Sequence, residues 1–176
     1  MGGRRTAAVV TASDGIASGH REDTSGAAVA DLLHAHGFEV CRREVVPDDR
    51  SRIAALLAAI ADEDRVAVIA ITGGTGFGPR DVTPEATDDV CHRDAPGLAE
   101  AMRAAGRAST PMADLSRGRC GIRGATLIID LPGSPRGATE SLAAIVELLP
   151  HAADLLAGDT RRHPDGHGEH AAPAGT

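Results

Sequence analysis

The segment VAVIAI (residues 66–71) runs directly into TGGTGFGPRDVTPEAT (residues 72–87). The first segment is uncharged and rich in β-branched residues, which is typical of a strand buried on both faces of a sheet. The second segment opens with a loop that contains four glycines: Gly73, Gly74, Gly76 and Gly78. Because glycine carries no Cβ atom, the N–H groups of such a loop are free to turn outward and approach an anion closely.

A basic residue, an acidic residue and a helix start follow the loop. Arg80 and Asp81 come first. Thr83-Pro84-Glu85 then predicts a helix with Thr83 as its N-cap and Pro84 at its first position. A phosphate group together with a divalent metal ion is the ligand class that would use all of these features.

The glycines alone are explained equally well by an ordinary tight turn after a strand. Two standard nucleotide-binding motifs are excluded by their spacing. A Walker loop needs Lys and then Ser or Thr after its last glycine, whereas Pro79 follows Gly78. A dinucleotide fingerprint counted from Gly74 and Gly76 would place its third glycine at Pro79.

Apolar strands alternate with amphipathic helices along the rest of the chain. Strands are predicted at residues 7–11, 38–46, 66–71, 120–123 and 125–131. The alternation predicts an α/β fold, a three-layer α/β/α sandwich with a mainly parallel, mixed central sheet. Residues 110–118 show little periodicity, and we predict an irregular segment near the active site or at a subunit contact.

Polar loops follow four of the predicted strands. They are Ser13-Asp14, Pro47-Asp48, residues 73–81 and residues 132–136. In a parallel sheet these loops gather at one edge, so we expect them to build a single site. Simpler interpretations stay open, because Ser13 and Asp14 are common turn residues and Asp48 is equally well explained as a capping carboxylate. Asp130 either turns to solvent or accepts hydrogen bonds.

Length and charge exclude several classes of protein. The chain has 176 residues, a length that predicts one α/β domain, which we place at residues 1–158. Its net charge is -7. Its arginine residues form no basic block, and its only aromatic residues are Phe38 and Phe77. We therefore predict no nucleic-acid partner.

The termini and cysteines indicate a cytoplasmic protein. The three cysteines show no CxxC spacing, which argues against a disulfide framework and against a zinc site. No apolar run approaches the length of a signal peptide or membrane span, so we predict no membrane contact. Residues 159–176 lack large apolar side chains and are predicted to form a disordered tail, in which His163, His167 and His170 would bind metal only adventitiously.

The stretch at residues 72–87 resembles the signature of the molybdopterin adenylyltransferases, the MogA/MoaB family of molybdenum cofactor biosynthesis. It is also similar to the corresponding domains of gephyrin and of plant Cnx proteins. The resemblance extends from Ala7 to about Gly158 through five further motifs: SDG at 13–15, EDTSG at 22–26, VPDD at 46–49, APGLAEAMR at 95–103 and LPGSPRG at 131–137. The RDVTPEA half of the signature, which relatives of the MoaB branch often lack, is complete, and this favours the catalytic branch.

The resemblance implies a reaction and a set of roles. Molybdopterin would attack the α-phosphorus of ATP in the presence of Mg²⁺, giving adenylyl-molybdopterin and pyrophosphate. We expect Asp81 to be the main catalytic residue and metal ligand, with Asp48 as the second. Arg80 is expected to balance developing charge. Phosphate contacts are expected from Gly73, Gly74, Thr75 and Gly76. Pterin contacts are expected from Ser13, Asp14, Pro132, Gly133 and Ser134.

The sequence leaves two other functions open. One is a non-catalytic molybdopterin-binding scaffold, against which the presence of both Asp48 and Asp81 argues. The other is a metal-dependent nucleotide hydrolase, which would release AMP and pyrophosphate without pterin. By family analogy alone we expect a homo-oligomer, specifically a trimer, and a MoeA-type molybdate insertase as a partner.

Overall fold

A computed structural model describes residues 5–158. Within this range the six strands of the sheet are β1 (Arg5–Ala12), β2 (Phe38–Val46), β3 (Val68–Thr72), β4 (Arg93–Asp94), β5 (Cys120–Arg123) and β6 (Thr126–Leu131). The α-helices of this range are α1 (Asp14–Ala17), α2 (Thr24–Ala35), α3 (Arg50–Ala59), α4 (Thr83–Val90), α5 (Pro96–Arg107), α6 (Pro135–Ala143) and α7 (Leu149–Leu156). Two 3-10 helices, Pro111–Leu115 and Val146–Leu148, and a π-helical turn at Ile60–Asp64 complete the elements.

The strands form one mixed sheet in the order β2-β1-β3-β6-β5-β4. The pairs β1–β2, β1–β3 and β3–β6 are parallel, whereas β5 runs antiparallel to both β6 and β4. The predicted mainly parallel sheet is therefore confirmed. The polar strand β2 lies at an edge, as its alternating exposure requires.

The central strands bury both faces, and this creates two cores. In β3, Val68 and Ala70 face the core formed with α2, α5 and α6, while Ile69 and Ile71 face the core formed with α3 and α4. Alternate residues of a strand point to opposite faces, so a strand covered by helices on both sides must be apolar throughout. Burial of each large side chain here contributes about 1.5–3 kcal/mol. This arrangement is the three-layer sandwich that the sequence predicted.

The predicted role of Thr83 as N-cap is wrong. The helix α4 begins at Thr83, Val82 is its N-cap, and no side chain caps it. The Thr83 hydroxyl is fully buried and makes no hydrogen bond within residues 5–158. Its position is set instead by the glycine loop, because the Thr83 N–H donates to the Gly74 carbonyl at 3.1 Å.

Asp130 is buried and hydrogen-bonded, which decides between the two alternatives. Its side chain accepts from Thr87 Oγ1 at 2.6 Å and from the Arg119 N–H at 3.0 Å. The segment at 110–118, predicted to be irregular, contains a 3-10 helix at Pro111–Leu115 and is irregular only in its remaining residues. The predicted tail, residues 159–176, lies outside the described residues. None of the helices between residues 5 and 158 is long and apolar enough to cross a membrane.

Candidate functional site

The four polar loops start from neighbouring points at one edge of the sheet. The strand register places Ala12 beside Val46, and Thr72 beside both Thr11 and Leu131. These positions lie at or next to the carboxyl ends of β1, β2, β3 and β6, where open parallel sheets bind ligands. The edge is thus a candidate site on topology alone.

The loop after β3 needs glycine at its first two positions. Gly73 has a φ of +102°, and a Cβ atom there would lie 2.2 Å from the Ala12 carbonyl oxygen. Gly74 has a φ of +65°, and a Cβ atom there would lie 2.5 Å from Thr83 Oγ1. Both conformations belong to the left-handed region that favours glycine. The loop therefore passes tightly between the end of β1 and the start of α4.

The same loop presents a row of unpaired amides. The Gly73 N–H donates to the Leu131 carbonyl at 3.1 Å, and the Gly78 N–H donates to Asp81 Oδ2 at 2.8 Å. Between them, the N–H groups of residues 74–77 donate no hydrogen bond to any residue that the structure describes. Successive unpaired amides at a strand end form a concave surface suited to an anion.

Asp81 folds back over the loop. A Cβ atom on either Gly76 or Gly78 would lie 2.9 Å from Asp81 Oδ2, so these glycines leave the space that the carboxylate occupies. The bond from the Gly78 N–H then fixes this oxygen. As a result the carboxylate lies beside the unpaired amides.

A second group of charges lies next to Gly74. The N–H of Asp14 donates to Asp48 Oδ2 at 2.9 Å, and the N–H of Asp48 donates to Asp14 Oδ1 at 3.0 Å. Arg80 binds the Asp14 carboxylate through Nε at 3.0 Å and Nη2 at 2.8 Å. These contacts join the loops after β1, β2 and β3 into one charged cluster of Asp14, Asp48 and Arg80.

The pKa of Asp48 is raised above its ordinary value. Partial burial is the main cause, and the negative charges of Asp14 and Asp81 add to it, against the hydrogen bond from the Asp14 N–H and the charge of Arg80. Asp49 rather than Asp48 caps α3, by accepting from the Arg52 N–H at 2.9 Å, whereas Asp48 accepts from the N–H of Asp14, the first residue of α1. A ligand that brings positive charge would therefore be stabilised here.

A cavity of about 410 Å³ lies on the other flank of the loop. Its polar wall is formed by loop residues and by the loop after β6: Gly74, Thr75, Gly76, Asp81, Pro132, Gly133 and Ser134. Met112 and Leu115, from the irregular segment, add apolar surface. A bond from Thr72 Oγ1 to the Pro132 carbonyl at 2.6 Å holds the two loops together. The volume is in the range of small-molecule sites.

The structure thus divides the predicted residues between two adjacent places. The cavity is lined by Thr75, Gly76, Asp81 and the Pro132–Ser134 loop. Gly73 packs against this loop, since a Cβ atom on Gly133 would lie 3.2 Å from the Gly73 Cα atom. Asp14, Asp48 and Arg80 form the charged cluster and are not among the lining residues. Ser13 is used locally, since its Oγ accepts from the Ile16 N–H at 3.3 Å and caps α1. Gly74 borders both places.

The carboxylates fit a metal ion that arrives with phosphate better than a resident one. Within residues 5–158 no group of three or more His, Cys, Asp or Glu side chains is arranged to hold a metal. Magnesium at phosphate-transfer sites commonly uses one or two carboxylates together with substrate phosphates and water. The negative charge of Asp81 is one of the causes that raise the pKa of Asp48, so these two carboxylates lie within electrostatic reach of each other.

Sequence reasoning missed Arg117. This half-buried residue lies in the irregular segment, and its backbone N–H donates to the Thr75 carbonyl at 2.8 Å. Its guanidinium binds the Gly76 carbonyl and the Asp81 carbonyl, and it pairs with Glu85. A single arginine in a stretch without periodicity carries no motif, and only the predicted location of residues 110–118 near the site pointed toward it.

The chain is similar to molybdenum cofactor proteins in sequence and in structure. The family model described as "Probable molybdopterin binding domain" matches residues 8–151. The molybdopterin adenylyltransferase of Helicobacter pylori is 39% identical over 86% of this chain and 87% of its own. The molybdenum cofactor biosynthesis bifunctional protein of Synechococcus elongatus is 41% identical over 86% of this chain, which covers 47% of that protein. The crystal structure of the molybdopterin biosynthesis enzyme MoaB from Thermus thermophilus matches with a TM-score of 0.83 and 47% identity, covering 88% of this chain and 97% of its own.

Proposed function

The chain belongs to the family of molybdopterin-binding domains, and on that premise we propose that it is a molybdopterin adenylyltransferase of molybdenum cofactor biosynthesis. Its substrates are ATP and molybdopterin, and its products are adenylyl-molybdopterin and pyrophosphate. One observation carries the proposal: the four successive amides of residues 74–77 find no acceptor within residues 5–158, and three of these residues line a cavity of small-molecule size together with Asp81. Two phosphate-bearing substrates need such donors, because their negative charges repel each other.

The reaction forms one bond and breaks one. An oxygen of the molybdopterin phosphate attacks the α-phosphorus of ATP, and the bond from that phosphorus to the oxygen bridging to the β-phosphate breaks. Pyrophosphate leaves with this electron pair. The attacking phosphate is already ionised near neutral pH, so no side chain has to act as a strong general base.

The amides of residues 74–77 bind and orient phosphate oxygens, and their fixed dipoles stabilise the charge that develops in transfer. Asp81 and Asp48 would hold Mg²⁺, which when bound neutralises phosphate charge and polarises the α-phosphoryl group. Arg80 neutralises Asp14 and thereby limits repulsion where the nucleotide approaches. Gly73 allows the close passage of the loop over β1.

The cavity is the proposed pterin side of the site. Pro132, Gly133 and Ser134 line it beside the glycine loop. Apolar surface from Met112 and Leu115 suits a flat ring in a protein that has no Trp or Tyr. The charged cluster lies outside this cavity, and we therefore assign Asp14 to the nucleotide side rather than to the pterin. Ser13 also lies outside the cavity, where its hydroxyl caps α1.

The test is incubation of the full chain with molybdopterin, Mg²⁺ and ATP labelled at the α-phosphate. We expect the label in adenylyl-molybdopterin and one pyrophosphate per product. Pterin binding without label transfer would indicate a scaffold. Labelled AMP formed without pterin would indicate a nucleotide hydrolase. We further propose a cytoplasmic homotrimer that delivers its product to a MoeA-type insertase, which size-exclusion chromatography with light scattering and pull-down of the insertase would check.

A further inference from the structure

We propose that Arg117 is a positioning residue that holds the glycine loop in its ligand-binding shape without touching the ligand. The inference rests on the proposed function for its kinetic consequences. The effect of Arg117 on the shape of the loop is inferred from the observed contacts alone. Arg117 is not among the residues that line the cavity, whereas its acceptors on Gly76 and Asp81 belong to residues that do.

A single guanidinium connects three points of the loop and helix. Nε donates to the Gly76 carbonyl at 2.7 Å, and Nη2 donates to the Asp81 carbonyl at 2.6 Å. Nη1 and Nη2 also bind the two carboxylate oxygens of Glu85 in the first turn of α4. Arginine alone among the basic residues has donors fixed in a plane that reach several acceptors at once.

These bonds decide which way the loop amides point. In a trans peptide the C=O of one residue and the N–H of the next point in opposite directions. The guanidinium binds the Gly76 carbonyl and therefore turns the N–H of Phe77 away from Arg117. The Thr75 carbonyl is held by the Arg117 backbone N–H, which turns the N–H of Gly76 away in the same manner. Those two N–H groups are among the four that find no acceptor in the described part of the chain.

Glu85 completes the arrangement. The ion pair with Arg117 lowers the pKa of the Glu85 carboxyl, so this group stays ionised and anchors the guanidinium to α4. The same guanidinium holds the Asp81 carbonyl, and the Asp81 carboxylate is fixed by the Gly78 N–H. The loop, its carboxylate and the helix are thus tied to one side chain.

Arg119 offers a matched control. It lies two residues further along and is exposed to a similar extent, with 38% of its side chain accessible against 35% for Arg117. Its guanidinium pairs with Asp88 and Asp94 and makes no hydrogen bond to residues 72–83. Loss of Arg119 therefore removes a comparable arginine without releasing the loop.

The experiment compares Arg117→Ala and Arg119→Ala in the full chain by hydrogen exchange and by adenylylation kinetics. In Arg117→Ala we expect the bonded amides of Gly78, Asp81 and Thr83 to exchange at least about tenfold faster, with β3 protection unchanged. We expect kcat to fall about 100-fold, because small displacements of a site cost that much. Millimolar guanidinium should restore part of that loss, whereas Arg119→Ala should stay within about twofold of wild type in both measurements.

Unchanged exchange in Arg117→Ala, or an equal effect of both substitutions, would overturn the positioning role. Arg117→Lys serves if the alanine variant does not fold; its single ammonium cannot reach all three acceptors, so the same changes are expected on a smaller scale. Absence of adenylylation by the wild-type protein would instead refute the proposed function. The exchange result would still decide the role of Arg117 in the loop.

Discussion

Replacement of Asp130 by asparagine should change how the stability of the protein depends on pH. Asp130 is 1% exposed, and burial raises the pKa of its carboxyl from 3.8 to about 7, against the bonds from Thr87 and Arg119 that lower it. The folded protein therefore holds this proton more tightly than the unfolded chain. The stabilisation from protonated Asp130 is fully present below pH 3.8 and is lost as the pH rises through about 7.

The size of the effect follows from the shift. One pKa unit corresponds to about 1.4 kcal/mol, so a shift of about three units gives a loss of about 4 kcal/mol over this window. Asparagine carries no titrating proton and keeps one acceptor oxygen. The difference in unfolding free energy between wild type and Asp130→Asn should thus fall by about 4 kcal/mol from pH 4 to pH 8, whatever constant cost the substitution adds.

Urea unfolding of both proteins at intervals of half a pH unit measures this difference. Asp89→Asn is the control, because Asp89 is exposed and its ion pair with Arg50 lowers the pKa of its carboxyl. Its difference from wild type should be flat between pH 5 and pH 8. A flat difference for Asp130→Asn over the same range would refute the account of the buried carboxyl.

Further predictions concern the loop and its carboxylates. Gly73→Ala should destabilise the fold by more than about 1 kcal/mol, because the new Cβ atom would lie 2.2 Å from a backbone oxygen. Gly124→Ala is the control, since Gly124 has a φ of +57° but open space around it, and it should cost about 1 kcal/mol. Equal shifts of the two variants in thermal unfolding would contradict this. Asp81→Asn should abolish adenylylation with an unchanged melting temperature, and wild-type turnover would remove Asp81 from the metal site. Asp48→Ala should reduce turnover severely, but less than Asp81→Asn does. If calorimetry showed loss of pterin binding with ATP binding intact, the assignment of Asp48 to the nucleotide and its metal ion would be wrong.

Regular features of this fold were predictable because their physical signals are local. The uncharged run before the glycine loop predicted a doubly buried strand, and β3 is buried at every residue. The parallel sheet then implied that the loops after β1, β2, β3 and β6 share one edge. The family resemblance is confirmed by the matched family model and by relatives named molybdopterin adenylyltransferase.

The remaining features depend on contacts between distant segments. Thr83 has the residue type and spacing of an N-cap, but the close approach of Gly74 fills the space beside its hydroxyl, and α4 begins one residue early. Arg117 binds Gly76, which lies 41 residues away in the sequence, and no periodic pattern predicts such a contact. Likewise, Asp14 and Asp48 meet only because β1 and β2 are neighbours in the sheet.

The most direct test of the central claim is a crystal structure of the full chain grown with adenylyl-molybdopterin and Mg²⁺. We predict that phosphate oxygens accept hydrogen bonds from the amides of residues 74–77, with the pterin in the cavity beside Pro132–Ser134. Product bound on another face of the sheet, with these amides still unpaired, would contradict the claim that the glycine loop is where the transferred phosphate is held.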